Sequence, residues 1–143
     1  MAEGDAHVVN SLKEELLLKT IDCNTDVFKV ALYSDAYAAT QIDGAAPAYS
    51  TTNEIVASGY TAGGQSVGTP VVAQDDTNDR ASWDDDGTDV LFTALATATI
   101  QRAILYDDTT VTKFHCIIWE IATNSNGGNY TLAFASTGML LIS

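Results

Sequence analysis

Short runs of apolar, β-favouring residues broken by polar turns make up most of this chain after residue 26, and only the stretch before them repeats at helical spacing. Leu12 and Leu16, with Leu17 beside them, recur every three to four residues. Ser11 stands three residues ahead of Glu14, the order of a capping box that satisfies two orphan amides at a helix start. The spacing predicts one short helix of about eight or nine residues, marginal alone, whose leucines must rest on another element. Residues 27–33 (VFKVALY) are mostly β-favouring and read as a strand. Residues 67–74 contain Pro70 and read as an edge strand or two short pieces, because proline cannot donate to a sheet ladder. Residues 90–92 open another strand. Residues 98–106 set Ile100, Ile104 and Tyr106 on one side, a row broken by Arg102, with Ala103 and Leu105 on the other. Residues 114–121 set Phe114, Cys116 and Ile118 on one side and Ile117, Trp119 and Ile121 on the other, which predicts a strand covered on both faces. Two further strands, over 129–134 and 138–142, close the chain.

Turn chemistry separates these runs. Residues 124–129 (NSNGGN), 107–110 (DDTT) and 84–87 (DDDG) each read as a hairpin loop, with glycines available for positive φ in the first. Short strands punctuated at this spacing predict an all-β fold rather than βαβ units. The expected architecture is an antiparallel β-sandwich or barrel-like (jelly-roll-like) fold with one short N-terminal helix. Residues 34–64, rich in Ala, Tyr, Thr and Gly, read as a long connection with a short strand or helical turn around Glu54-Ile55-Val56. With 143 residues and no internal repeat, a single domain is expected, an arm and helix over 1–26 followed by the β-sandwich over 27–143.

Charge narrows the function. Lys plus Arg is 6 against 19 Asp plus Glu, a net charge of -13, which repels nucleic-acid phosphates and anionic lipid headgroups. With 46% hydrophobic and 17% charged residues, the chain is too apolar for a disordered acidic tail. The start, MAEGDAH, is acidic, and no apolar run approaches a secretory h-region or the roughly 20 residues of a membrane span. Cys23 and Cys116 are expected as buried free thiols in a chain made in a reducing cytosol, with a disulfide as the alternative.

Candidate chemistry is sparse. Residues 59–66 (GYTAGGQS) have phosphate-loop spacing, but Gln65 stands where lysine is required and Pro70 follows too soon for the necessary helix. A glycine turn leading into a strand is expected instead. Asp75, Asp76, Asp79, Asp84, Asp85, Asp86 and Asp89 place seven carboxylates within fifteen residues. They lack the order of an EF-hand loop and read as a solvated face with turn-capping carboxylates, a structural calcium site being the alternative. His115 and Cys116 are neighbours on a predicted strand and point to opposite faces, so they form no dyad. There is no nucleophile elbow and no zinc spacing. A non-enzymatic chain without cofactor or metal is expected. Tyr33, Tyr37, Tyr49, Tyr60 and Trp83 are candidates for stacking or anchoring, with Tyr33 and Trp83 expected in the core.

Taken in order, these segments resemble a family of small structural proteins from tailed bacteriophages. The features are an N-terminal helix, FKVALY, Asn53-Glu54-Ile55, GYTAGG, DDTNDRASWDDD, ATIQRAILYDD and a terminal GNYTLAF…GMLLI, spanning residues 10 to 143. Residues 114–121 depart from that pattern in being more apolar. The resemblance implies a virion component of the head-decoration or cement type. Such a protein binds the major capsid protein on the capsid exterior and stabilises the shell as a homo-oligomer such as a trimer, after synthesis in the host cytoplasm. Its expected partners include neither nucleic acid nor membrane. Contacts are expected in the N-terminal arm and the long connection, at His7, Val8, Tyr37, Tyr49 and Tyr60. The alternatives are a neck or tail component and a carbohydrate-binding receptor module using Tyr37, Tyr49, Tyr60 or Trp83.

Overall fold

Strand pairing between distant parts of the chain builds the molecule. The computed structural model describes residues 6–34, 47–135 and 138–142. Along these the chain forms β1 (Ala6–Val8), α1 (Asn10–Leu17), β2 (Phe28–Tyr33), β3 (Gln65–Ser66), β4 (Val71–Asp75), β5 (Arg80–Asp84), β6 (Val90–Phe92), β7 (Ala98–Asp107), β8 (His115–Ser125), β9 (Tyr130–Leu132) and β10 (Leu140–Ile142). The strands pair antiparallel into a five-stranded sheet β1-β8-β7-β2-β3, a three-stranded sheet β10-β5-β4 and a two-stranded sheet β6-β9. The fold is therefore all-β and sandwich-like, with one short helix. Each sheet has open edges among the described residues, so no barrel closes there.

Strand β2 shows why the sequence folds this way. It lies between β7 and β3, so both its edges are paired, and it sends side chains into an apolar cluster on each face, so its residues are nearly all apolar. Phe28, Val30 and Leu32 enter the larger core with Leu12 of α1, Trp83 of β5 and Val90 and Phe92 of β6. Ala31 and Tyr33 enter a smaller core with Val9, Ile104, Tyr106 and Ile118. The five-stranded sheet thus separates two apolar clusters, which accounts for the apolar character of residues 114–121.

Several expectations need correction. Helix α1 starts at Asn10, and its N-cap, Val9, makes no side-chain cap. Ser11 lies inside the helix, and its hydroxyl donates to the His115 carbonyl at 3.0 Å, tying α1 to β8. A tertiary bond has displaced the local capping box. On β8, the register steps from Leu105↔Ile117 to Tyr106↔His115, so Cys116 is an extra residue. It joins Phe114 and Ile117 in the larger core, and only Ile118 of its expected row reaches the smaller one. A second extra residue on β8, where Ile100↔Thr123 gives way to Arg102↔Glu120, lies at Ala122 with φ 48°. The sheet bends there, and Ile100 packs with the larger core rather than with Ile104 and Tyr106.

Only one of the three expected hairpin loops closes a hairpin, the segment after Asp107 that joins β7 to β8. Residues 84–87 lead from β5 to β6 and residues 124–129 from β8 to β9, in each case between different sheets. Within residues 67–74 strand forms only after Pro70, as β4 at the edge of its sheet, the first of the two expected alternatives; β3 ends at Ser66, before the segment. Three strands lay hidden in segments expected to be non-strand: β1 in the N-terminal arm, β3 at the end of the expected glycine turn and β5 in the acidic stretch.

Candidate docking surface

The long connection, where it is described, is organised by one carboxylate. Glu54 is buried, and it accepts hydrogen bonds from Tyr49 Oη (2.8 Å), Tyr60 Oη (2.6 Å) and the Gly63 amide (2.7 Å). Tyr60 Oη also accepts the Leu32 amide at 3.0 Å, and Tyr106 Oη donates to the Gly63 carbonyl at 2.9 Å. Burial first, then the Glu54 contact, pushes the Tyr49 and Tyr60 phenols well above their ordinary value. Residues 53–55 lie along β2, through the Tyr33↔Glu54 bridge and the Ile55 amide on the Leu32 carbonyl at 3.0 Å. Gly64 completes the unit. Its φ is +70°, and a Cβ there would stand 1.8 Å from the Val30 carbonyl oxygen, so the position requires glycine. Asn53-Glu54-Ile55 and GYTAGG, separate in sequence, are one lock against the edge of β2.

That lock decides what the aromatic candidates can do. Tyr49 stacks on Tyr106 at 4.5 Å between ring centroids, and Tyr60 on Phe92 at 5.7 Å. Trp83 is 3% exposed and meets Phe28 edge-on at 4.8 Å. One face of each ring is occupied by protein, and the two tyrosine hydroxyls are committed to Glu54. Tyr37 lies outside the described residues. His7 sits on β1 opposite Ile118. Tyr33 and Trp83 are core residues, as expected.

A different surface stands open. Between α1 and β10 runs a groove of about 650 Å³, lined by Val8 of β1, by Leu12, Lys13, Leu16 and Leu17 of α1, and by all three residues of β10. Of its lining residues, Leu17 is 86% exposed, Ile142 60% and Leu141 40%, so the groove leaves large apolar side chains open to water. A smaller cleft of about 150 Å³ adjoins it, sharing Leu16, Leu140 and Ile142 and reaching Trp83 and Cys23. Of the four described residues among the expected contacts, Val8 is the one that lines this groove. The leucine spacing of α1 was legible in the sequence, but not which leucines remain outside, because that depends on β10.

Charge elsewhere is locally spent. Asp75 accepts from the Thr77 and Asn78 amides, the Asn78 side chain and Arg80, capping the β4–β5 turn, and these bonds hold its carboxyl below the usual range. Asp86 accepts from the Thr69 and Thr88 amides. Among the described residues no three His, Cys, Asp or Glu side chains are placed to hold one metal ion. Lys29 and Lys113 both pair with Asp108, Arg80 with Asp75 and Arg102 with Glu120. The remaining two of the six cations, Lys13 and Lys19, enter no ion pair among the described residues and lie on α1 and just after it. Both cysteines are free. Burial, then neighbouring carboxylates, pushes the half-buried Cys23 thiol up to about 12, and burial raises that of Cys116, so neither is a thiolate near neutral pH.

Comparison with protein families, curated proteins and solved structures finds no match to this chain.

Proposed function

We propose that this chain is a non-enzymatic virion protein of the decoration or cement type, which binds the outer surface of a capsid and reinforces the shell. The observation that carries the proposal is the open apolar groove between α1 and β10 on a chain of net charge -13. A protein built this way has a surface to attach by, while its remaining charge keeps it from nucleic acid and from aggregation. The order of motifs that resembles small bacteriophage structural proteins supports the same role. In the structure, two of those motifs fix the long connection against β2.

The mechanism is linkage. A protein that binds the assembled shell and not its separated subunits shifts the equilibrium toward the shell, by about 2.7 kcal/mol per site at a free concentration 100 times Kd. Repetition over symmetric sites multiplies that contribution, and a homo-oligomer such as a trimer would match a symmetric capsid position.

Quantitative mass spectrometry of purified virions, with the major capsid protein as reference, tests the role. Copy numbers comparable with the capsid protein are expected, together with a lower shell melting temperature when the chain is absent. A few copies per particle would assign the chain to the neck or tail, and its absence from virions would refute the proposal.

A further inference from the structure

We infer that the α1–β10 groove receives an extended segment of the shell partner, added as a strand to the free edge of β10 and carrying a carboxylate that meets Lys13. The inference deepens the proposed role and takes from it only the source of the segment; the chemistry of the groove stands on its own. Strand β10 pairs with β5 on one side only, and no described strand covers its other edge. An uncovered edge presents backbone N–H and C=O groups that an incoming strand can pair with, and a helix cannot. The opposite wall is α1, whose Leu16 and Leu17 offer apolar contact to alternate side chains of such a strand.

Charge selects the partner. Lys13 is the one charged residue in the lining, and among the described residues its partner is Asn10 Oδ1, at 3.2 Å. Four of the six cations are neutralised in ion pairs elsewhere, so Lys13 is an attractive point for a carboxylate on an otherwise repelling molecule. The same net charge of -13 opposes a second copy as the occupant. The segment is therefore apolar at alternate positions, acidic at one, and free of proline where it pairs.

Two measurements on the full chain separate the groove from the role. The first uses a capped synthetic peptide of alternating valine and threonine with one central glutamate, followed by backbone amide protection. Protection at Leu140, Leu141 and Ile142 is expected, with binding about fivefold weaker when lysine replaces the peptide's glutamate. Lys13→Glu should reverse that preference, an outcome that loss of folding cannot produce. Leu17→Asp, at an exposed position, should weaken both peptides. Absence of binding, protection confined to other strands, or an unchanged preference in Lys13→Glu would overturn the inference. So would self-association of the wild-type chain that Leu17→Asp abolishes, since a second copy would then be the occupant. The second measurement adds wild-type chain to virus shells stripped of it. Peptide binding without shell binding would refute the proposed role and leave the groove assignment standing.

Discussion

At the scale of single residues, Glu54 is the most consequential side chain in the described structure. A buried carboxylate normally needs a cation or several donors, and Glu54 relies on two phenols and an amide. Tyr60→Phe removes the 2.6 Å bond and also the acceptor for the Leu32 amide. It should cost about 1–3 kcal/mol in urea unfolding, because both groups left behind are largely screened from water. Ser11 offers a second test at this scale. Since its hydroxyl bonds to the His115 carbonyl rather than to the helix, Ser11→Ala should cost about 0.5–1.5 kcal/mol. Glu14→Ala should stay within about 0.5 kcal/mol, whereas a capping box would make both residues matter. The individual motifs were legible in the sequence; their partners were not. No local rule joins residue 54 to residues 60 and 63, and a serine three positions before a glutamate looks the same whether it caps a helix or reaches across to a strand.

At the scale of elements, the strands with strong apolar patterns were legible, and the short ones were not. β2, β7 and most of β8 carry enough β-favouring residues to declare themselves. β1 has three residues, and β5 reads RASWD, so pairing rather than composition makes them strands. The side assignments along β8 fail at Cys116 because an extra residue shifts every position before it to the other phase, and a bulge at a non-glycine residue leaves no signature. Helix α1 divides sharply between its faces. Leu12 is fully buried and Leu17 is 86% exposed. Leu12→Ala should cost about 2–5 kcal/mol by calorimetry, and Leu17→Ala should leave stability within about 0.5 kcal/mol. A large loss at Leu17 would mean that this face is already covered.

At the scale of the whole molecule, the acidic excess gives the fold a pH dependence of definite sign. Burial pushes the Asp107 and Asp85 carboxyls above the usual carboxylate range. A carboxyl raised in the folded state binds its proton there first, so stability rises as pH falls through the raised value toward the unfolded one. Asp108 behaves oppositely. Burial disfavours its charge, but the hydrogen bonds from Lys113 and Lys29 together outweigh burial and hold its carboxyl low. Its contribution persists above the unfolded value of about 3.9 and is lost only as pH falls through its lowered one. The buried Asp107 and Asp85 carboxyls therefore both favour the fold increasingly as pH falls from neutral through their raised values. Chemical unfolding across that descent should show stability rising before the general acid loss sets in, and Asp107→Asn should flatten the rise. The pairing of β1 with β8 has a consequence of another kind. Ala6, His7 and Val8 find their partners at Trp119, Ile118 and Ile117, and Ser11 finds its own at His115. During synthesis at about 5–20 residues per second, the first strand and helix wait roughly 5–20 s for those partners to be made. Throughout that interval β1 has no strand to pair with and Ser11 no carbonyl to reach, so this strand and helix dock only after β8 has been made.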